Sequence, residues 1–357
     1  MANRQWRKNT KATYEFGVPE LVGNNIYRIC IPMPGNPLKV LNSYVVMEGS
    51  RPLVIDLGFD MRECYEALTE GLRALDLSWD DVDIFFTHGH PDHCGLVNRV
   101  KRPSTTFYAG FGGFYQLLKE YHVHNRGFQE WMSGGYELLP EGCDKPPVTQ
   151  EERRQILSRS IDYSDMDEVL IPYSDVTPVV LGDGELFMRG SRVFRVIRTS
   201  GHSPDHLCLY DERDKILISG DQILARITPV VVSFALGDNV LASYIQSAEK
   251  LSKLEVSLCL TGHRDNIDNV SQRVIELVNH HALRGEEVRQ VLREGPANVV
   301  EIAKGVSWRS PISNWDDWPL KQKYFSLGET ISHLSQLEHD GVVTHSVESK
   351  GLLFRQV

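Results

Sequence analysis

Short apolar runs alternating with polar residues fill the first part of the chain. Ile26-Tyr-Arg-Ile-Cys-Ile31, Asn42-Ser-Tyr-Val-Val-Met47 and Pro52-Leu-Val-Ile-Asp56 carry the period of two expected of half-buried strands. They predict an antiparallel meander. Asp56-Leu-Gly58 turns the chain into a helix over Arg62 to Leu75. The stiff segment Pro32-Met-Pro-Gly-Asn-Pro37 separates the first two strands and reads as a pocket wall or a simple turn. Apolar, β-branched or Leu-rich runs recur at Val82 to Phe86, Thr106 to Ala109, Val193 to Arg198, Lys215 to Ile218 and Val256 to Leu260. The strand pattern stops after Ala109 and is expected to resume near Val193. Residues 111–180 instead gather aromatics (Phe111, Phe114, Tyr115, Tyr121, Phe128, Trp131, Tyr136), with a second helical piece at Glu151 to Ile161. We read this insert as a helical lid over an apolar pocket; ordinary helix packing on the sheet is the alternative. Beyond residue 271 the pattern is helical at Val274 to Leu292, at Val299 to Lys304 behind a cap at Asn298, and at Leu320 to Leu337. A hairpin is expected around Glu348-Ser-Lys350. The expected organisation is therefore an α/β (α+β) domain over 1–270 and a smaller domain over 271–357.

Composition narrows the classes. The 357 residues are 41% hydrophobic and 24% charged, ordinary values for a soluble globular protein. A formal charge of −10 gives no electrostatic footprint for nucleic acid or an anionic membrane. Met1 to Tyr14 is polar and lacks the apolar core of a signal peptide. No run of about 18 apolar residues is available to span a bilayer. Six scattered cysteines (30, 64, 94, 143, 208 and 259) with no Cys-x-x-Cys read as reduced thiols of a cytoplasmic protein.

The chemistry concentrates in Thr87-His-Gly-His-Pro-Asp-His93, between a strand-like run and a helical one. Three imidazoles and a carboxylate so close together are costly to pack unless something binds them, and zinc takes both donor types. His88 and His90 extend from the turn, whereas Asp92 and His93 open the next helix and face a second point. That divergence suggests two metal ions. Three later positions follow an apolar run and a glycine in the same way: His202 in Ser200-Gly-His202, Asp221 in Ser219-Gly-Asp221, and His263 in Thr261-Gly-His263. Strand ends would deliver these side chains to one sheet edge, and a carboxylate such as Asp221 can bridge two cations. Cys94, beside His93, reads as a small buried residue behind the turn.

In this order, His-x-His-x-Asp-His, Gly-His, Gly-Asp and Gly-His, the chain resembles the metallo-β-lactamase-fold hydrolases over roughly residues 25–270. The resemblance implies a four-layer αβ/βα sandwich. It implies one metal on His88, His90 and His202, a second on Asp92, His93 and His263, and Asp221 between them. Asp221 makes the chain look like the glyoxalase II, lactonase and RNase branches rather than the antibiotic-degrading one. The C-terminal order of helices and hairpin, with His280-His-x-x-Arg284 and Leu334, Leu337 and Gly341, is similar to a winged helix that a β-lactamase-like subgroup appends there.

The expected reaction is hydrolysis of an acyl bond by a metal-bridging hydroxide, with Asp92 and Asp221 orienting its proton. The metals are expected to be zinc, with iron or manganese compatible with the same donors. His206 is read as a donor to an oxyanion or as a residue packed behind the metals. A thioester of the acyl-CoA or acyl-glutathione kind is the leading substrate, an acyl-homoserine lactone the alternative, and RNA an alternative of another class. Against RNA, Glu276 to Val357 holds nine Lys and Arg against eleven Asp and Glu, a net of −2. The expected recognition helix, Ser326 to Leu337, has Glu329 and neither Lys nor Arg. A small-molecule acyl substrate is thus the expected partner, with no membrane, and the C-terminal domain reads as a packing or homodimer element.

Overall fold

The computed structural model describes residues 14–117, 174–310, 312–348 and 351–357. Two sheets face each other. The first runs in sequence order: β1 (Pro19–Gly23), β2 (Ile26–Pro32), β3 (Val40–Val46), β4 (Leu53–Ile55), β5 (Asp83–Phe85), β6 (Phe107–Ala109) and β7 (Val179–Val180). The expected meander is present, since β2 pairs antiparallel with β3 and β3 with β4. From β4 onward the pairing is parallel, with Ile55 opposite Phe85. The second sheet has the order β12-β11-β10-β9-β8, built from β8 (Leu186–Arg189), β9 (Arg192–Arg198), β10 (Leu207–Asp211), β11 (Ile216–Gly220) and β12 (Leu258–Thr261). Strands β11 and β12 are parallel, which sets Gly220 opposite Thr261.

Alternation along the strands sorts the core into layers. In the second sheet Val196, Leu207, Leu209, Ile216, Ile218 and Leu260 join Tyr44, Ile55 and Phe85 of the first sheet in the central layer. Their neighbours Ile197, Cys208, Tyr210, Leu217 and Cys259 point the other way, against helices α4 (Val240–Ser252) and α5 (Val270–Arg293). On the opposite side Leu41, Val45, Val54 and Ile84 pack on α1 (Arg62–Ala74) and on α3 (Val97–Val100). Helices therefore cover the outer face of each sheet. The short α2 (Pro91–Cys94) follows β5.

Strands resume earlier than the sequence pattern suggested. Val179 and Val180 complete the first sheet as its edge, and β8 begins at Leu186. Both are short, half-exposed edge strands, so the apolar run that would have signalled them is weak. At the other end of the expected lid, Phe111, Phe114 and Leu117 are buried in the core around Phe86 rather than raised over a pocket. Residues 118–173 of the expected lid, with Trp131 and Tyr136, lie outside the described residues.

The C-terminal part comprises α5, α6 (Val299–Gly305), α7 (Leu320–His339) and the hairpin β13 (Val343–Glu348) and β14 (Gly351–Gln356). Asn298 and Glu301 form a reciprocal capping box that starts α6. Leu327, Ile331, Leu334, Val343 and Phe354 close a separate core with Ile302 and Trp315. Helix α5 crosses the expected boundary at 270/271. Its first half (Val270, Val274, Leu277) packs on the second sheet, and its second half (Val288, Leu292) packs into the C-terminal core. It begins four residues before the expected start because Asn269 caps it, accepting from Gln272 N–H. No helix among the described residues is long and apolar enough to cross a membrane.

Candidate metal centre

The site lies where strand ends of the two sheets meet. Strand β5 ends at Phe85 and delivers Thr87 and His88; α2 presents Asp92 and His93 one turn later. The connections after β9, β11 and β12 present His202, Asp221 and His263. Cross-sheet hydrogen bonds fix this edge: Leu207 N–H donates to Thr87 O at 2.8 Å and Asn42 N–H to Gly262 O at 2.7 Å. Parallel pairing of β11 with β12 explains why Asp221 and His263 arrive side by side.

All seven expected ligands converge. The donor atoms of His88, His90 and His202 lie within 4.8 Å of one another, as do those of Asp92, His93 and His263. Asp221 stands between these groups, with Oδ2 3.7 Å from His202 Nε2 and 3.2 Å from His263 Nε2, and Oδ1 3.5 Å from His93 Nε2. His88 turns Nε2 and His90 turns Nδ1 toward the same point, 2.9 Å apart. Gly262 is required by this crowding: a Cβ there would lie 2.2 Å from Asp221 Oδ1. Gly220, at φ +48°, would set a Cβ 2.8 Å from both His206 Nε2 and Thr87 Cβ.

Hydrogen bonds on the far side of His202, His263 and His93 determine which nitrogen of each faces the centre. His202 Nδ1 donates to Val230 O at 2.7 Å and His263 Nδ1 to Val40 O at 2.8 Å. His93 Nδ1 donates to Asp56 Oδ2 at 2.8 Å. Rings anchored through Nδ1–H turn Nε2 inward, the arrangement metal-ligating histidines need. His93 Nε2, His202 Nε2, His263 Nε2 and Asp221 Oδ1 are all buried without a hydrogen-bond partner. Four unpartnered acceptors at one point would be a heavy penalty in a packed interior, and a divalent cation removes it. The residues therefore fit the metal that the donor set implies.

Electrostatics agree with that fit. Burial, and then the charges of neighbouring imidazoles, hold His88 neutral, well below the usual histidine range. Burial and His202 bring His90 down to about 3. Burial alone would raise Asp92, but His93 and His263 outweigh it and hold the carboxyl at about 2. Burial likewise opposes a charge on His263, yet Asp221 and Asp92 lift it to about 10. The carboxylates demand positive charge at the centre, which a divalent ion supplies.

Sequence reasoning missed Asp56. Its carboxylate accepts from Thr87 N–H (2.9 Å), Thr87 Oγ1–H (2.8 Å) and His93 Nδ1–H, and it is buried at φ +61°. Thr87 Oγ1 in turn lies 3.0 Å from His88 Nδ1. The available signal was a lone acid closing the apolar strand Leu53–Ile55, on the same sheet edge as His88. The carbonyls of Val40 and Val230 carry no signal in side-chain identity. His206 is fully buried behind Asp221. Its Nε2 accepts Asp221 N–H at 3.1 Å and its Nδ1 donates to Thr199 Oγ1 at 2.8 Å. Cys94 is buried behind the turn, its Sγ against the carbonyls of Gly89 and His90.

Comparison with known proteins follows the same outline. The sequence pattern of the metallo-beta-lactamase superfamily matches residues 38–106 and 111–263. The "Probable metallo-hydrolase YqjP" of Bacillus subtilis is 23% identical over 321 residues, 87% of this chain and 92% of that protein. The "Atrochrysone carboxyl ACP thioesterase" of Aspergillus fumigatus is 26% identical over 151 residues, 39% of this chain and 46% of that protein. The crystal structure of a metallo-beta-lactamase family protein from Thermus thermophilus superposes with a TM-score of 0.69 at 25% identity, covering 93% of this chain and 99% of that one.

Proposed function

The chain belongs to the metallo-beta-lactamase superfamily and is a metal-dependent hydrolase, and within that class we propose that it holds two divalent ions, zinc by default, and cleaves a thioester. His88, His90 and His202 would hold one ion, Asp92, His93 and His263 the other, and Asp221 both. Bound there, the ions supply a nucleophile at neutral pH and polarise the carbonyl of the substrate.

The observation that carries the thioester reading is that the described side chains at the centre are all engaged, as candidate ligands or as their anchors. Asp92 and Asp221 are both held as carboxylates by the imidazoles against them. They can accept a hydrogen bond from the attacking water and aim it, but they have no proton to give. His206, the one further histidine in the cluster, spends both ring nitrogens on Asp221 N–H and Thr199 Oγ1. We therefore assign it to positioning Asp221 rather than to an oxyanion. With His88, His90, His93, His202 and His263 taken as ligands, no described side chain at the centre is left to serve as a general acid. A thiolate leaves without one, because a thiol's pKa is only about 8.5; an alkoxide or amine does not. The relative named as an acyl-carrier-protein thioesterase supports the same chemistry.

The winged-helix reading of the C-terminal part is kept as a packing element. Helix α7, which would be the recognition helix, buries Ser326, Leu327, Gly328, Thr330 and Ile331 through Ser335. A helix so enclosed has little surface left for a groove of nucleic acid, and the local charge is negative. The test is turnover of an acyl-CoA and acyl-glutathione panel alongside acyl-homoserine lactones and single-stranded RNA. Preference for thioesters supports the reading. Lactone turnover with inert thioesters replaces it with the lactonase.

A further inference from the structure

His280-His-x-x-Arg284 on α5 is not used by the metal centre, yet it leads to a second buried group of ligand-type side chains. His281 comes from α5; Glu329 and His333, four residues apart and so on one face, come from α7. Their donor atoms lie within 4.8 Å of one another. Both histidines are 2% exposed. The group lies on the far side of Tyr244, whose ring meets His281 edge-on at 5.4 Å between centroids.

Hydrogen bonding accounts for this group only in part. His281 Nδ1 and His333 Nε2 are 3.4 Å apart, longer than an ordinary N–H donor bond of about 2.7–3.2 Å. Two nitrogens bound to one tetrahedral zinc at about 2.0–2.1 Å stand about 3.3 Å apart. His281 Nε2 and Glu329 Oε1 are buried with no hydrogen-bond partner. Glu329 has Arg284 Nε at 3.4 Å, an ion pair longer than an ordinary hydrogen bond. Arg284 Nη1 donates to Glu287 (2.8 Å) and Ser307 O (2.6 Å), and the guanidinium plane stacks 4.2 Å over Trp308. One guanidinium thus faces two carboxylates, Glu287 and Glu329, and the shorter pair is the one to Glu287. Burial pushes Glu329 up to about 7 and holds both histidines neutral, the state in which an imidazole ligates.

We propose that His281, Glu329 and His333 form a second, structural cation site that takes zinc or a similar borderline divalent ion and clamps α5 to α7. The two helices carry the C-terminal core, and α7 also touches the loop that anchors the catalytic cluster. Gly328 O accepts from Ser233 N–H at 3.2 Å, three residues from Val230, which holds His202. The ion would stiffen that contact without meeting substrate.

The experiment counts zinc by elemental analysis in the full chain, stripped with chelator and dialysed to equilibrium against buffered zinc. Wild type, His333→Ala and Glu329→Gln are compared. The expected result is the loss of one zinc per chain in each variant at the free zinc that saturates wild type, with thiol-release activity retained. Identical counts in all three proteins would overturn the proposal. Should His333→Ala fail to fold, Glu329→Gln, which keeps the side chain's shape, decides alone. The comparison is a difference between proteins with the same catalytic cluster, so it holds whether that cluster binds one ion or two. Asp221→Ala should lower the count through the other site and leave this ion in place.

Discussion

Five side chains at the centre, His88, His93, His202, Asp221 and His263, are held from behind by another residue, and these holders are where single substitutions are most informative. Asp56 takes three donors, from residues 31 and 37 positions away. Asp56→Asn keeps the volume but removes the charge that fixes His93 Nδ1–H. Zinc affinity should fall about 10–100-fold, the usual effect of removing a partner of a metal-bound histidine, measured by competition with a chromogenic chelator. His206 makes a sharper distinction. If it positions Asp221, His206→Asn weakens zinc binding by a similar factor and lowers kcat with little change in KM. A residue that met the oxyanion would leave zinc affinity at the wild-type value, and that outcome would return His206 to the substrate side. The seven converging side chains were legible because each sits in a short motif of chemically unusual residues. Asp56 was not, because an acid at a strand end looks like any turn residue until the fold places it beneath Thr87 and His93. The carbonyls of Val40 and Val230 have no residue type to betray them.

Elements bring these residues together, and the glycines and caps at their ends carry the cost of change. Gly262 follows β12 with Asp221 Oδ1 in the space its Cβ would fill. Gly262→Ala should leave a folded protein by circular dichroism while reducing bound zinc and turnover at least tenfold, because the carboxylate must move. Far from the site, Asn298→Ala removes the side-chain half of the box that starts α6 and should cost about 1 kcal/mol in unfolding free energy, with no effect on catalysis. The strand and helix pattern was legible wherever a run was long enough to show its period: the β2–β4 meander, α1, β9, α6 and α7 stand where alternation or capping put them, and α5 differs by its earlier start. The edge strands β7 and β8 were not, since an exposed two- to four-residue strand has too few positions to display a period. Helix α4 was passed over because Gln222 to Glu255 contributes no ligand-bearing motif, though Asn239 caps it, accepting from Ala242 N–H.

At the scale of the molecule, two sheets with helices outside each bring ligands from residues 88 to 263 to one edge, so metal binding and folding should be linked. A ligand that binds only the folded state raises its stability. Chelation should therefore lower the melting temperature as well as abolish hydrolysis, and zinc should restore both, as followed by differential scanning fluorimetry beside the activity assay. The central claim is that Asp221 and its six companions form a metal centre that hydrolyses an acyl bond with a thiolate leaving group. Thiol release from an acyl-CoA and acyl-glutathione panel, by stripped protein titrated with zinc and by Asp221→Ala treated identically, tests it most directly. The account predicts release that appears with added zinc in the wild type and falls at least a hundredfold in the variant, as expected for loss of a ligand shared by both ions. Zinc-independent release, or full activity with full metal content in Asp221→Ala, would contradict it.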